Sequence, residues 1–151
     1  MSQGTVLVIG AGGKTGARVE ARLKARGVAT RAVSRSTGIS SAWARPETWP
    51  AAFDGTARAH VTYPLDLAVE GSTAAIARLC RIAREAGLTQ VVLISGRGEP
   101  QAQRAEAELQ ASGIPWTIVR ASWFNQNFSE GYRVDGVLAG ELALPAGPAR
   151  P

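Results

Sequence analysis

The stretch Val6-Leu-Val-Ile-Gly10-Ala-Gly12-Gly13-Lys14-Thr15-Gly16 decides the fold of this chain. Its first residues, Val6 to Ile9, form an apolar run that predicts a buried strand leading directly into a glycine-rich turn. The next segment, Ala17 to Arg26, has Val19 and Leu23 spaced to face a sheet, which predicts a helix. Strand, glycine turn and helix in this order are typical of a nucleotide-binding βαβ unit.

The glycines at positions 10, 13 and 16 have the spacing of a dinucleotide-binding turn. They permit a sharp turn, a close approach of a diphosphate to the backbone, and tight packing of helix against strand. The free N–H groups of a helix N-terminus favour that anion. Such glycines also occur in ordinary turns, and it is their place directly after the strand that favours a nucleotide. A P-loop is excluded, because that motif needs a glycine where the sequence has Val8. The predicted ligands of the diphosphate are Gly10, Gly12, Gly13, Lys14, Thr15 and Gly16.

The end of the second predicted strand, Val28 to Val33, indicates which cofactor binds. NAD-binding units usually place Asp or Glu here for the ribose 2′-hydroxyl, whereas NADP-binding units use Arg for the 2′-phosphate. The sequence has no acidic residue between Glu20 and Glu47. A guanidinium fork matches phosphate oxygens, so we predict that Ser34-Arg35-Ser36 binds the 2′-phosphate with help from Arg31. The alternative is that Arg35 is a solvated arginine in a loop.

The composition agrees with a single globular domain. The chain has 151 residues, 45% of them hydrophobic, and a formal net charge of +5. Its arginines are scattered, those at 78, 81 and 84 forming a solvated helix face, and the sequence has no nucleic-acid-binding module. The single cysteine, Cys80, is predicted to be a core residue, and the absence of a disulfide framework fits the cytoplasm. We expect no metal site, no nucleic acid and no membrane partner, since neither metal-ligand spacing nor a membrane-spanning stretch is present.

The rest of the chain alternates strands and helices. Further strands are predicted near Ser40–Trp43 and over 58–63, 90–94 and 116–119, and helices from Pro46 and over 73–86 and 100–111. This rhythm predicts an α/β fold of Rossmann type, a doubly wound parallel sheet with helices on both faces. The strand over 90–94 is apolar throughout, so we expect it to be covered on both faces. Ligands of such sheets lie beyond the carboxyl ends of the strands.

Four segments, in order, resemble the NmrA-like family, an atypical branch of the short-chain dehydrogenase/reductases. They are Gly10–Gly16, Ser34–Ser36, Leu93–Glu99 and Ile114–Asn127. More narrowly, the chain is similar to bacterial relatives of ergot-alkaloid reductases and NAD(P)H:quinone reductases. The resemblance implies NADP(H), preferred over NAD(H), in the glycine loop with Arg35 at the 2′-phosphate. It reaches about Gly147, so we expect a Rossmann domain over residues 1–147 and a disordered tail over 148–151.

The resemblance also implies a substrate pocket over the nicotinamide, where Tyr63 and Ser95 lie beside the cofactor. The pocket residues it implies are Trp123, Phe124, Asn125 and Asn127. Each has a structural alternative: the two aromatic residues as core, the asparagines as turn caps, Tyr63 and Ser95 as plain strand-end residues. We expect His60 to be packed or at the surface, and Trp49 and Trp116 to be packing residues.

The chain departs from the reductase pattern in its acid–base pair. Many short-chain dehydrogenases use Tyr-x-x-x-Lys, whose lysine lowers the tyrosine pKa for proton transfer. The matching positions are Glu99 and Gln103, and neither tyrosine of the chain, Tyr63 or Tyr132, has a lysine four residues on. A quinone or iminium acceptor needs less acid catalysis. We therefore predict an NADPH-dependent oxidoreductase acting on a small conjugated, quinone or imine-type acceptor, its catalytic residues unassigned.

The second departure is length. Relatives continue with a substrate-closing lobe, whereas this chain ends in the proline-rich segment Leu144–Pro151. We expect a C-terminally truncated or frame-shifted product without that lobe, or the first half of a split protein. Two alternatives stand beside the reductase: a non-catalytic NmrA-like regulator that senses NADP(H) and acts through a protein partner, and an inactive fragment.

Overall fold

The computed structural model describes residues 4–35, 43, 45–64 and 66–142. The chain divides into two compact units, with the boundary between Ala121 and Ser122. The strands of the first unit are β1 Thr5–Ile9, β2 Thr30–Val33, β3 Thr56–Val61, β4 Gln90–Gly96 and β5 Trp116–Ala121. Its helices are α1 Lys14–Ala25, α2 Trp49–Phe53 after a 3₁₀ turn at Pro46–Thr48, α3 Ser72–Glu85 and α4 Pro100–Ala111. The second unit contains α5 Gln126–Ser129 and α6 Val134–Leu138.

The five described strands form one parallel sheet in the order β2-β1-β3-β4-β5. From β1 the chain passes to one side for β2 and then to the other side for β3, so a topological switch point lies between β1 and β3. All carboxyl ends therefore meet at one edge of the sheet. The strand expected near Ser40–Trp43 falls mainly outside the described residues, and Trp43 lies in a turn.

Apolar clusters on the two faces of the sheet confirm that helices lie on both. Leu7 and Ile9 of β1 belong to a large cluster with residues of α2, α3 and α4. Val6 and Val8 belong to a small cluster with Leu23 of α1. Because alternate residues of a strand point to opposite faces, α1 covers one face and the other three helices cover the opposite one. This is the predicted doubly wound α/β fold.

The expectation that residues 90–94 are covered on both faces is wrong. In β4, Val91 and Leu93 are buried, whereas Val92 and Ile94 are only half-buried. The helix on their side of the sheet, α1, packs against β1 and β2. An apolar run indicates that a strand is buried, but it cannot say that both faces are covered equally.

The two tryptophans predicted to be packing residues differ. Trp49 is 3% exposed and meets the ring of Trp43 edge-on, with the ring centroids 5.0 Å apart. Trp116 is 44% exposed, so its prediction is wrong. It lies on β5, the edge strand of the described sheet, where no further strand covers it. Cys80 is buried in the core, as predicted.

Candidate functional site

The glycine loop between β1 and α1 is held against the ends of both neighbouring strands. Gly10 has φ +84°, a left-handed conformation that favours glycine. The amides of Gly10 and Ala11 both donate to the carbonyl oxygen of Val33, at 3.0 and 3.2 Å. A Cβ atom at Gly10 would lie 3.2 Å from Thr62. The loop therefore lies at the switch point of the sheet, with backbone where side chains would not fit.

Helix α1 begins at Lys14, three residues before the predicted start. Gly13 is its N-cap residue and makes no side-chain cap, and the first turn contains no acidic residue. A Cβ atom at Gly16 would overlap the carbonyl oxygen of Gly10, so this glycine is required for the close packing of α1 on the loop. Neither the N-cap residue nor a carboxylate of the first turn caps the first amides of α1, and the helix dipole adds partial positive charge. Both features suit an anion.

Of the residues predicted at the 2′-phosphate, Arg35 is exposed in the turn after β2 and Ser34 is half-buried. Ser36 lies outside the described residues. The supporting role of Arg31 stays a prediction, but its guanidinium already has partners in the fold. Its Nη1 donates to the carbonyl oxygens of Ala52, at 2.9 Å, and Asp54, at the end of α2. The last carbonyls of a helix lack partners within it, and Arg31 supplies one.

The strand order places the two halves of the candidate site on opposite sides of β1. One half is the predicted 2′-phosphate site after β2, and the other is the predicted nicotinamide site at the ends of β3 and β4. Val33, Ile9, Val61 and Leu93 stand at one level across four strands. Three inter-strand steps separate β2 from β4, a span of about 14 Å at the usual strand spacing. A dinucleotide lying across the carboxyl end of β1 would have one nucleoside on each side.

On the β3 side, Tyr63 is half-buried and its ring packs against Trp43, with centroids 4.7 Å apart. His60 is 6% exposed, and its Nε2 lies 3.1 Å from the Thr62 hydroxyl. Burial lowers the pKa of His60 from its ordinary value. These contacts agree with the expectation that His60 is a packed residue. The ring of Tyr63 is partly buried against the core.

On the β4 side, Ser95 is 5% exposed and its hydroxyl donates to Oε1 of Glu106 at 2.6 Å. Arg120 of β5 binds the same carboxylate with Nε and Nη2. This hydrogen-bonded guanidinium holds the pKa of Glu106 below its ordinary value, although burial opposes the shift. Glu106 and Arg120 have no role predicted from the sequence. A signal was present, since Glu106 falls on the buried face of α4 between Ala105 and Leu109.

In the second unit, Trp123 and Phe124 are 46% and 39% exposed, so the core alternative for them is wrong. The guanidinium of Arg133 lies 4.9 Å from the ring centroid of Trp123. Asn125 is the N-cap residue of α5 but makes no side-chain cap. Asn127 is half-buried, and its amide donates to the carbonyl oxygen of Phe124 at 2.9 Å. The pocket role of these residues stays a prediction.

The part of the chain that the structure describes contains no group of three or more His, Cys, Asp or Glu side chains arranged to hold a metal ion. None of its helices combines the length and apolar character needed to cross a bilayer.

No protein-family model matches the sequence. A curated relative, the Prestalk A differentiation protein A of Dictyostelium discoideum, is 28% identical over 105 residues. The match covers 68% of this chain and 34% of the relative. This chain therefore spans about a third of that protein's length.

Several solved structures are similar to this one. A nucleoside-diphosphate-sugar epimerase from Staphylococcus aureus has a TM-score of 0.76 and 17% identity, over 95% of this chain and 59% of that chain. The Citrobacter sp. triphenylmethane reductase, complexed with NADP(H), has a TM-score of 0.67 and 18% identity, over 89% and 54% of the two chains. The Escherichia coli NADPH-dependent quinone oxidoreductase, complexed with NADPH, has a TM-score of 0.62 and 16% identity, over 89% and 53%.

This chain thus spans little more than half the length of these solved structures. Their low identity means that the similarity is one of fold. The glycine loop, the switch point and the parallel sheet agree with it. The chain therefore has the Rossmann-type α/β fold that these structures share, as its sequence predicts.

Proposed function

We propose that this chain binds NADP(H) and, as part of a reductase, passes a hydride to a small conjugated, quinone or imine-type acceptor. The observation that carries the proposal is the N-terminus of α1, at the switch point of the sheet. It has no side-chain cap, and Gly16 lets it pack closely against the backbone of Gly10. Bare backbone and a helix N-terminus at this place suit a diphosphate. NADPH, when bound, supplies the hydride.

Each part of the candidate site has a proposed task. The backbone amides of residues 12 and 14–16 bind the diphosphate, since those of Gly10, Ala11 and Gly13 already donate to carbonyl oxygens. The exposed Arg35 binds the 2′-phosphate with Ser34 and Ser36. Arg35 suits this task because its guanidinium offers two parallel donors to phosphate oxygens. Tyr63 and Ser95 border the nicotinamide half. The preference for NADP(H) over NAD(H) rests on Arg35 and on the lack of an acidic residue after β2.

The acceptor class follows from the hydrogen-bond donors near β4. Glu99 and Gln103 occupy the positions of the usual Tyr-x-x-x-Lys pair. The hydroxyl proton of Ser95 already lies in its bond to Glu106, so this serine has no second proton for a substrate carbonyl. Acceptors that need little acid catalysis fit such a site. The similar quinone oxidoreductase and triphenylmethane reductase support this class.

We keep Trp123, Phe124, Asn125 and Asn127 as proposed acceptor contacts, since exposed aromatic rings can stack on a conjugated molecule. The activity proposed is that of whole reductases, and this chain spans 54% of the length of the triphenylmethane reductase. We propose a cytoplasmic location, because the one cysteine of this chain, Cys80, is buried and unpaired.

Calorimetric titration of the purified chain with NADPH and with NADH tests cofactor binding and preference together. We expect a lower dissociation constant for NADPH. Oxidation of NADPH, followed at its absorbance with a panel of quinones, then tests turnover. A folded chain that binds neither dinucleotide would overturn the proposal.

A regulator that senses NADP(H) through a protein partner is the second candidate. The lack of the tyrosine–lysine pair favours it, and so do the exposed apolar side chains of the second unit, such as Tyr132 and Leu138 at 74% and 80% exposure. Exposed aromatic and aliphatic residues are typical of interaction surfaces. This candidate predicts a melting temperature raised by NADPH without NADPH oxidation by any quinone of the panel.

A further inference from the structure

One buried carboxylate joins the carboxyl ends of β4 and β5. Glu106 of α4 is 2% exposed and accepts the Ser95 hydroxyl at 2.6 Å. Arg120 donates from Nη2 to Oε2 at 2.7 Å and from Nε to both oxygens at 3.1 Å. We call these three residues the β4–β5 clip. The strands carry its outer members directly opposite each other, because Ser95 pairs with Arg120 in the sheet.

The clip lies next to the last pairing of the two strands. Gly96 pairs with Ala121, and the amide of Arg97 donates to the carbonyl oxygen of Ala121 at 3.0 Å. A Cβ atom at Gly96 would lie 3.2 Å from the side chain of Glu99, so the backbone here is closely surrounded. The first amide of the loop that follows β4 is thus bonded to the end of β5.

A bidentate ion pair sets both the distance and the orientation of its partners. Glu106 is buried and Arg120 is 52% exposed, so the loss of Arg120 would leave a buried carboxylate without its charged partner, which is destabilising. The glycine loop and Arg35 belong to the ends of β1 and β2, beyond β3 in the sheet order. The clip therefore acts on one half of the candidate site and not on the other.

We infer that Glu106 is a positioning residue for the nicotinamide half of the site, which it serves by holding the ends of β4 and β5 through Ser95 and Arg120. This inference rests on the proposed NADP(H) binding. Glu106 contacts no ligand itself. Its loss lowers the affinity for the nicotinamide part of the cofactor and leaves the affinity for the adenosine part unchanged.

The first experiment needs no ligand. Amide hydrogen exchange of Glu106→Gln is compared with that of Glu108→Gln, the same substitution two residues along α4. We expect the amide of Arg97 to exchange at least about tenfold faster in Glu106→Gln alone, because local opening follows loss of local contacts. The amides of Gly10 and Ala11 should keep their rates. An unchanged Arg97 rate, or an equal rise at Gly10, would overturn the inference.

The second experiment compares the affinities of two ligands. Adenosine 2′,5′-bisphosphate would occupy only the half of the site near Arg35, whereas NADPH would occupy both halves. In Glu106→Gln we expect affinity for NADPH to fall at least about fivefold with unchanged affinity for the bisphosphate, as loss of preorganisation predicts. Equal losses, or none, would contradict a positioning role.

Ser95→Ala is the second variant, for the case in which Glu106→Gln does not fold. It removes one hydrogen bond of the clip and leaves the ion pair, so the exchange rate at Arg97 is the measurement that applies, with the same direction of change. If the wild-type chain binds neither ligand, the proposed function fails, whereas the exchange rate at Arg97 still decides whether the clip holds the strand ends.

Discussion

Gly16 lies so close to Gly10 that a methyl group at position 16 would overlap the Gly10 carbonyl oxygen. We therefore predict that Gly16→Ala lowers the free energy of unfolding by roughly 1–3 kcal/mol, the usual cost of overpacking. Gly13→Ala is the matched control, because its methyl group would lie 3.3 Å from the same oxygen and its φ is −89°. Urea unfolding measures both. Equal midpoints for the two variants would contradict the close packing of α1 on the loop.

Arg35→Glu should reduce or reverse the preference for NADPH over NADH. The exposed guanidinium follows β2, where a 2′-phosphate is expected. Losing a charge-assisted bond and adding a like charge should weaken NADPH binding by about tenfold or more while NADH changes little. Titration calorimetry with both dinucleotides measures the ratio. The control is Arg26→Glu, an equal charge change at the exposed end of α1. An unchanged ratio in Arg35→Glu would show that another group holds the phosphate.

Arg31→Met should reduce stability and leave the cofactor preference unaltered. Its guanidinium bonds carbonyl oxygens at the end of α2. Removing the donor should cost about 1 kcal/mol, because these carbonyls are only partly shielded from water. Thermal unfolding measures the change, and the NADPH to NADH ratio provides the second readout. A shifted ratio with unchanged stability would return Arg31 to the phosphate site.

The difference between these two arginines shows where sequence reasoning ends. Glycine positions and strand order follow from local backbone demands, so Gly10, Gly16 and helix Pro100–Ala111 were predictable. The partner of Arg31 lies on α2, more than twenty residues away, and only tertiary structure selects it. Helix α1 begins earlier than the sequence predicts, because Lys14 follows glycines, which are typical of loops.

The β4 side of the site shows the same limit. Ser95 was predictable as a strand-end residue, because an apolar strand stops there. Its hydroxyl direction is set by Glu106, eleven residues later, and Arg120 comes from a third element. A buried carboxylate needs partners, so the position of Glu106 among the apolar residues of α4 indicated a buried polar contact.

Glu106 should make stability depend on acid pH. Its bond to Arg120 lowers the pKa in the folded chain, so between the folded and unfolded pKa values the unfolded state binds more protons. The stabilising contribution is therefore complete above the ordinary value of 4.5 and is lost as the pH falls through the folded value. We expect the difference in unfolding free energy between the wild type and Glu106→Gln to shrink below about pH 4. Urea unfolding at a series of pH values measures it, and a difference independent of pH would contradict the ion pair.

The two tryptophans that the sequence predicts to be packing residues should respond differently to truncation. Trp49 is 3% exposed and contacts Trp43, so Trp49→Ala should cost about 3–5 kcal/mol, the range for large core residues. Trp116 is 44% exposed on the edge strand β5, so Trp116→Ala should stay within about 1 kcal/mol of the wild type. Denaturant midpoints compare the variants directly. A loss at Trp116 as large as that at Trp49 would mean that another surface covers β5 in solution, since its side chain would then be buried.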